Sequence, residues 1–225
     1  MIKSLFLVGM LALATGSFST SAHAVLFDFS SGDGGFEPDK SSGDAPEWNY
    51  TGLAWETPGV DEWEYNDLTS PVLTVDVDGD AVISLEHEYN FFEPEDFIDG
   101  GVLEARIIGR PFSIITPLGG YPVSNSGDDE CSAVGEPCWS GDSGGPIIDT
   151  LIISGLNAGD LLQVRLRGEW EEDDVVSSTN WRIAWMDINF IAVPEPTILA
   201  LMGLGLTGIG CGRRRRKIKG ACQLF

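Results

Sequence analysis

Along most hydrophobic stretches of this chain, every second residue is apolar. From Ala81 to Tyr89, Ile83, Leu85, His87 and Tyr89 share one face, and Ser84, Glu86 and Glu88 share the other. Leu103, Ala105 and Ile107 alternate with Glu104 and Arg106, and Leu162, Val164 and Leu166 with Gln163, Arg165 and Arg167. A period of two fits a strand with one face on a core, whereas a helix needs apolar residues three and four apart. Val72 to Val77 alternates too, and Asp78-Gly79-Asp80 reads as a hairpin turn leading into Ala81. Val25 to Phe29 is expected to be the first strand, Ile147 to Ile153 a continuous apolar strand, and Trp181 to Phe190 the last. Ser30 to Glu47, rich in Gly, Asp, Ser and Pro, reads as loop. Short strands separated by turn signals predict an all-β domain, a β-sandwich or jelly roll.

The two ends lie outside that pattern. Met1 to Ala24 has Lys3, an apolar stretch from Leu5 to Ala14, a Ser/Thr-rich region and Ala22-His23-Ala24, the layout of a secretory signal peptide. At the other end, residues 193–225 hold Val193-Pro194-Glu195-Pro196, an apolar run from Thr197 to Cys211, and Arg213-Arg214-Arg215-Arg216-Lys217. As a single apolar helix, a run of about 15 residues spans roughly 22 Å, short of the ~30 Å hydrocarbon core. Flanking arginines that snorkel to the headgroups extend its reach, and they favour a cytoplasmic C-terminus. Pro194, Glu195, Pro196, the Gly-rich apolar segment and Arg213 to Arg216, in that order, resemble the PEP-CTERM sorting signal. The resemblance implies that an exosortase in the inner membrane recognises the tail, and that the protein passes on to the outer envelope, cell surface or exopolysaccharide matrix. Residues 25–192 are then a single exported domain, large enough for a real core.

Charge sharpens the picture. Between the two signals, residues 25–196 carry six cations (Lys40, Arg106, Arg110, Arg165, Arg167 and Arg182) against all 35 carboxylates, a formal charge of −29. Such a surface repels nucleic acid and anionic lipid, and it attracts divalent cations able to bridge it to acidic polysaccharide. Cys131 and Cys138 are the only cysteines in this region and lie in a Gly/Pro/Asp-rich loop, so in an oxidising compartment they read as a local disulfide. Closing a loop of about eight residues contributes roughly 2.5 kcal/mol on the chain-entropy account. Zinc is not indicated, because no second cysteine pair or nearby histidine completes four ligands.

A second resemblance covers roughly Phe36 to Phe190. Ser70-Pro71, His87-Glu88-Tyr89, Asp99-Gly100-Gly101-Val102-Leu103-Glu104, Trp139-Ser140-Gly141, Val164-Arg165-Leu166-Arg167 and Asp187-Ile188 follow one another in an order similar to the MAM-like jelly-roll domain of secreted proteins of the immune inhibitor A type. The resemblance implies an accessory, non-catalytic sandwich. Two departures are Gly109-Arg110-Pro111-Phe112, where that family usually has a Gly and a Trp, and Met186-Asp187, where it often has a double Asp. Within the same stretch, Gly141-Asp142-Ser143-Gly144-Gly145-Pro146 spells the nucleophile motif of trypsin-like serine proteases. A nucleophilic serine needs a base oriented by a third group. The only histidine after the signal peptide, His87, sits on the apolar face of a strand, so the motif reads as a Gly-rich turn and no catalytic residue is assigned.

Three further features bear on function. Glu93, Glu95, Asp96 and Asp99 form an acidic, Pro-containing loop whose oxygens suit Ca²⁺, and Asp28 with Asp187 offers a second carboxylate group near the two ends of the domain. Asp76-Val77-Asp78-Gly79-Asp80 is not an EF-hand start, since its sixth position is Ala81 and its twelfth is His87. All seven tryptophans lie in the exported region, and indole faces stack on sugar rings as well as filling cores. Together these features predict a non-catalytic module for binding or structure in the exopolysaccharide or biofilm layer. The competing reading is a secreted glycan hydrolase using a carboxylate pair such as Glu86 and Glu104 on adjacent β segments.

Overall fold

A computed structural model describes residues 23–40, 48–58, 64–91, 99–122, 137–170 and 180–193. These residues form strands and turns and contain no helix, so the all-β expectation holds. One antiparallel sheet, sheet A, contains β1 (His23–Asp28), β3 (Asn49–Tyr50), β4 (Trp55–Pro58), β7 (Gly79–Asn90), β10 (Ile147–Leu156) and β12 (Asn180–Ala192). Its order is β10-β7-β12-β4-β3, and β1 pairs with the second half of β12. The other, sheet B, contains β2 (Glu37–Lys40), β5 (Glu64–Thr69), β6 (Leu73–Thr74), β8 (Gly100–Ile107), β9 (Ser113–Ile114) and β11 (Leu161–Trp170). Its order is β2-β5-β11-β8-β9, with β6 also on β11.

Alternation does what it promises in β7, where every second side chain from Ala81 to Tyr89 is buried. Those side chains, with Trp181, Ile183, Met186, Ile188 and Phe190 of β12, meet Leu68, Leu103, Val164 and Leu166 of sheet B in one continuous core. Aromatics link the sheets: Phe91, at the end of β7, lies 5.3 Å from Trp170 of β11, and Trp48, beside β3 and 5.3 Å from Trp181, donates its indole N–H to the Asn66 carbonyl of β5. Gly101 admits this packing, because a Cβ built on it would lie 2.6 Å from the Trp181 ring.

Three expectations change. Ser30 to Glu47 is not all loop, because Glu37–Lys40 forms β2 and pairs antiparallel with β5 at the edge of sheet B. The stretch from Val72 to Ala81 is not a hairpin: Leu73 and Thr74 pair with β11 in sheet B, whereas β7 belongs to sheet A. This segment is pinned to the turn at 157–160, where the Val75 amide donates to the Asp160 carbonyl and Asp78 Oδ1 accepts from the Ala158 amide. The chain therefore crosses between sheets here instead of folding back on itself. The first strand also begins earlier, at His23, so a cut after Ala24 would leave Val25–Asp28 paired with Trp185–Ile188.

Candidate functional site

On β12 the alternation breaks. Trp181 pairs with Tyr89 and Ile183 with His87, but Trp185 pairs with Glu86, which makes Ala184 an extra residue, a β-bulge. Strict alternation would send Trp181, Ile183 and Trp185 all inward. The bulge instead turns Trp185 to the outer face of sheet A and returns Met186 and Ile188 to the core. Trp181 and Ile183 are fully buried while Trp185 is half-buried, and its indole N–H donates to Glu86 Oε2 at 2.6 Å. Strand register places Ile148, Glu86, Trp185 and Asp28 in one row across β10, β7, β12 and β1. The next row is Thr150, Ser84, Asp187 and Leu26. This face thus sets an indole among hydroxyls, carboxylates and the exposed aliphatic side chains of Leu26 and Ile148.

Among the described residues the other tryptophans form no second platform. Trp48, Trp55, Trp139, Trp170 and Trp181 are core residues, and Trp63 lies outside the described residues. Sequence pattern pointed to tryptophans as a group and did not single out Trp185, the one described tryptophan on an outer face. The available signal was the uninterrupted run Ala184-Trp185-Met186, which a strictly alternating strand does not contain.

Sheet B carries its charge on the face opposite Leu103 and Leu166. Arg165 donates to Asp67 Oδ2 at 2.7 Å and to Glu104, and Arg167 bridges Glu104 at 3.0 Å and Glu169 at 2.9 Å. Asp67, Glu104 and Glu169 are all buried. Burial pushes the Asp67 carboxyl up to about 6 against the pull of Arg165 and Arg167. Glu104 is a member of this ladder and Glu86 stands on the outer face of sheet A. The expected carboxylate pair is therefore corrected: β7 and β8 are consecutive in sequence but belong to different sheets, so these two side chains do not share a site.

The protease-like motif also resolves into structure. Ser143 Oγ lies 3.1 Å from the Tyr89 carbonyl and 2.9 Å from the Gly145 carbonyl, and accepts from the Tyr89 amide. Both His87 nitrogens are taken elsewhere. Trp181 donates to Nδ1 at 3.1 Å, so Nε2 bears the proton and donates to Asp149 Oδ2 at 3.0 Å. Trp139 donates to the same Asp149 oxygen at 2.7 Å. His87 is buried, and burial holds its pKa below the ordinary value despite Asp149. Ser143 ties a turn to the end of β7, while His87 is a core histidine satisfied on both sides.

For metal, the terminal strands β1 and β12 are neighbours, but their carboxylates already have partners. The Ser30 hydroxyl and amide donate to Asp28 Oδ1 and hold its pKa below the ordinary value, and Asn189 donates to Asp187. Asp99 is buried, and its carbonyl accepts from Ser140 Oγ. Glu93, Glu95 and Asp96 lie outside the described residues. Among the described residues no three His, Cys, Asp or Glu side chains are grouped to hold a metal ion. Cys138 is fully buried and disulfide-bonded, while Cys131 lies outside the described residues. Trp139 and Gly101 exchange both backbone hydrogen bonds at 2.9 Å, which docks the end of the cysteine loop on β8. Among the described residues no helix is long and apolar enough to cross a membrane.

Pro194, Glu195, Pro196 and Arg213 to Arg216 lie beyond the described residues. No curated protein matches this sequence. Similar solved structures include the cleaved adhesin domain of Lys-gingipain from Porphyromonas gingivalis, at 14% identity and a TM-score of 0.42 over 76% of this chain and 99% of that one. The CBM22-1 xylan-binding domain from Paenibacillus barcinonensis Xyn10C gives 12% and 0.39 over 78% and 99%. A carbohydrate-binding module from Cellvibrio mixtus lichenase 5A, in complex with cellotriose, gives 12% and 0.34 over 73% and 95%. The PEP-CTERM protein-sorting motif matches residues 192–216, so the β-sandwich is followed by a signal that indicates an exported protein.

Proposed function

We propose that this is an exosortase-sorted surface or matrix protein whose β-sandwich is a non-catalytic module that holds polysaccharide on the outer face of sheet A. The observation that carries the reading is the bulge at Ala184, which takes one tryptophan out of the core and turns it outward beside Glu86. Bulges re-aim side chains at functional positions, and an indole face with hydroxyls and carboxylates in the next row suits a sugar ring. The signal peptide at 1–24 starts export, and the tail lodges transiently in the inner membrane until an exosortase handles it. The MAM-like order of motifs belongs to the same reading, as an accessory sandwich. Cys131 is the proposed partner of Cys138, being the only other cysteine of the exported region. Calcium is proposed only for the acidic loop of Glu93, Glu95, Asp96 and Asp99, where a thermal shift lost on chelation is the check.

The test is affinity electrophoresis of the full-length protein in detergent against the polysaccharide of its own matrix. Trp185→Ala should lose most of the retardation while keeping the wild-type melting temperature to within a few degrees. Equal retardation of both proteins would overturn the reading. Glycan hydrolysis abolished by Glu86→Gln would favour a hydrolase instead.

A further inference from the structure

The row of side chains that precedes Trp185 on the outer face of sheet A is polar throughout. Strand register sets Glu88 of β7, Arg182 of β12, Glu56 of β4 and Asn49 of β3 side by side. Glu88 shares its face with Glu86, two residues away on β7, so this row and Trp185 lie on the same side of the sheet. Asn180 stands one repeat beyond Arg182, and these five residues line one cavity of about 440 Å³. Arg182 Nε lies 3.2 Å from Glu56 Oε1, with 33% of the Arg182 side chain and 43% of the Glu56 side chain exposed. Among the described residues the Glu88 and Asn49 side chains have no hydrogen-bond or ion-pair partner. The charged ladder of sheet B, by contrast, buries and pairs Asp67, Glu104 and Glu169.

Carboxylate acceptors on either side of a guanidinium donor suit a pair of adjacent hydroxyls, which donate to the one and accept from the other. The same row disfavours an acidic sugar. It holds two glutamates against one arginine, within an exported region of charge −29, so a further carboxylate is repelled. Glu88 and Glu86 are two residues apart on β7, about 7 Å. A sugar ring stacked on the Trp185 indole therefore leads the next ring of its chain over this cavity. We infer that the cavity is a second subsite, which takes a neutral sugar unit with adjacent hydroxyls beside the unit held on Trp185. The inference rests on the polysaccharide reading, and it adds a direction along β12 and a charge class.

The experiment is affinity electrophoresis of the full-length protein in detergent and chelator, so that no divalent cation bridges protein to polymer. The probe is the polysaccharide of its own matrix, before and after its carboxyl groups are reduced to alcohols. Wild type should be retarded at least as strongly by the reduced polymer. Glu88→Ala and Arg182→Met should each weaken binding to both forms about tenfold, the effect of one charge-assisted hydrogen bond, with the wild-type melting temperature kept to within a few degrees. Glu88→Gln retains an acceptor and should keep most of the binding. Loss of wild-type binding on reduction would overturn the neutral class. Normal binding by Glu88→Ala or Arg182→Met, alongside weak binding by Trp185→Ala, would overturn the subsite and leave the polysaccharide reading standing. No binding of wild type to either form would sink both.

Discussion

The indole nitrogen of Trp185 sits 2.6 Å from Glu86 Oε2, across the register shift that Ala184 creates between β12 and β7. The carboxylate holds a ring that would otherwise be free to rotate on an open sheet face. Fixing a side chain before binding lowers the entropy that binding must remove.

Glu86→Ala should therefore weaken polysaccharide binding by roughly three- to tenfold, the range of one lost positioning hydrogen bond, and change unfolding free energy by less than about 1 kcal/mol. Glu86→Gln keeps an acceptor and should bind nearly as well as wild type. Isothermal titration with denaturant melts on the same samples separates the two effects.

Asp67 supplies a pH signature. Its carboxyl is pushed to about 6 by burial, above the model-peptide value of 3.8, so the folded state takes up its proton more readily than the unfolded chain. That contribution to stability is complete below about pH 4 and is lost as pH rises through about 6. A shift near two units corresponds to about 3 kcal/mol. Asp67→Asn should flatten this part of the stability–pH curve, measured by urea unfolding from pH 4 to 7.

His87 works in the opposite direction. Burial lowers its pKa below 6.5, so the unfolded chain binds the proton better and stability falls as pH drops through and below about 6.5. His87→Gln should remove that acid-side loss, although the lost contacts to Trp181 and Asp149 lower its stability at neutral pH. Ser143→Ala should cost about 1 kcal/mol from the tie to Tyr89, a purely structural effect. Proteolytic activity in the wild type that disappears in Ser143→Ala would contradict the geometry at this turn.

Much of the fold could be read from β7, β8 and β11, because a period of two survives wherever one face meets the core. It failed where tertiary pairing overrode local pattern. Val72 to Val77 alternates like a hairpin arm, yet Asp78 and Val75 are held by the turn at 157–160, contacts about 80 residues away in sequence that no local pattern encodes. The candidate site was half visible. Trp185 was one of seven tryptophans, and burial, not composition, separates it from Trp48, Trp139 and Trp181. Glu86 and Glu104 looked alike in sequence, and only the assignment of β7 and β8 to different sheets parts them.

Gly101 tests how tightly the two sheets meet. Its backbone exchanges two hydrogen bonds with Trp139, and its missing side chain leaves room for the Trp181 ring. A methyl group there would lie 2.6 Å from that ring, well inside van der Waals contact. Trp181 cannot withdraw easily, because its N–H is committed to His87 and its ring contacts Trp48, Phe91 and Trp139. Overpacking of this kind typically costs about 1–3 kcal/mol. Gly101→Ala should therefore lower the denaturation midpoint by that amount and shift the near-ultraviolet circular dichroism of the tryptophan cluster. A companion substitution, Gly119→Ala, has open space around its Cβ and should leave both unchanged. If the two variants melted alike, the close approach of β8 to Trp181 would not be a constraint on this fold.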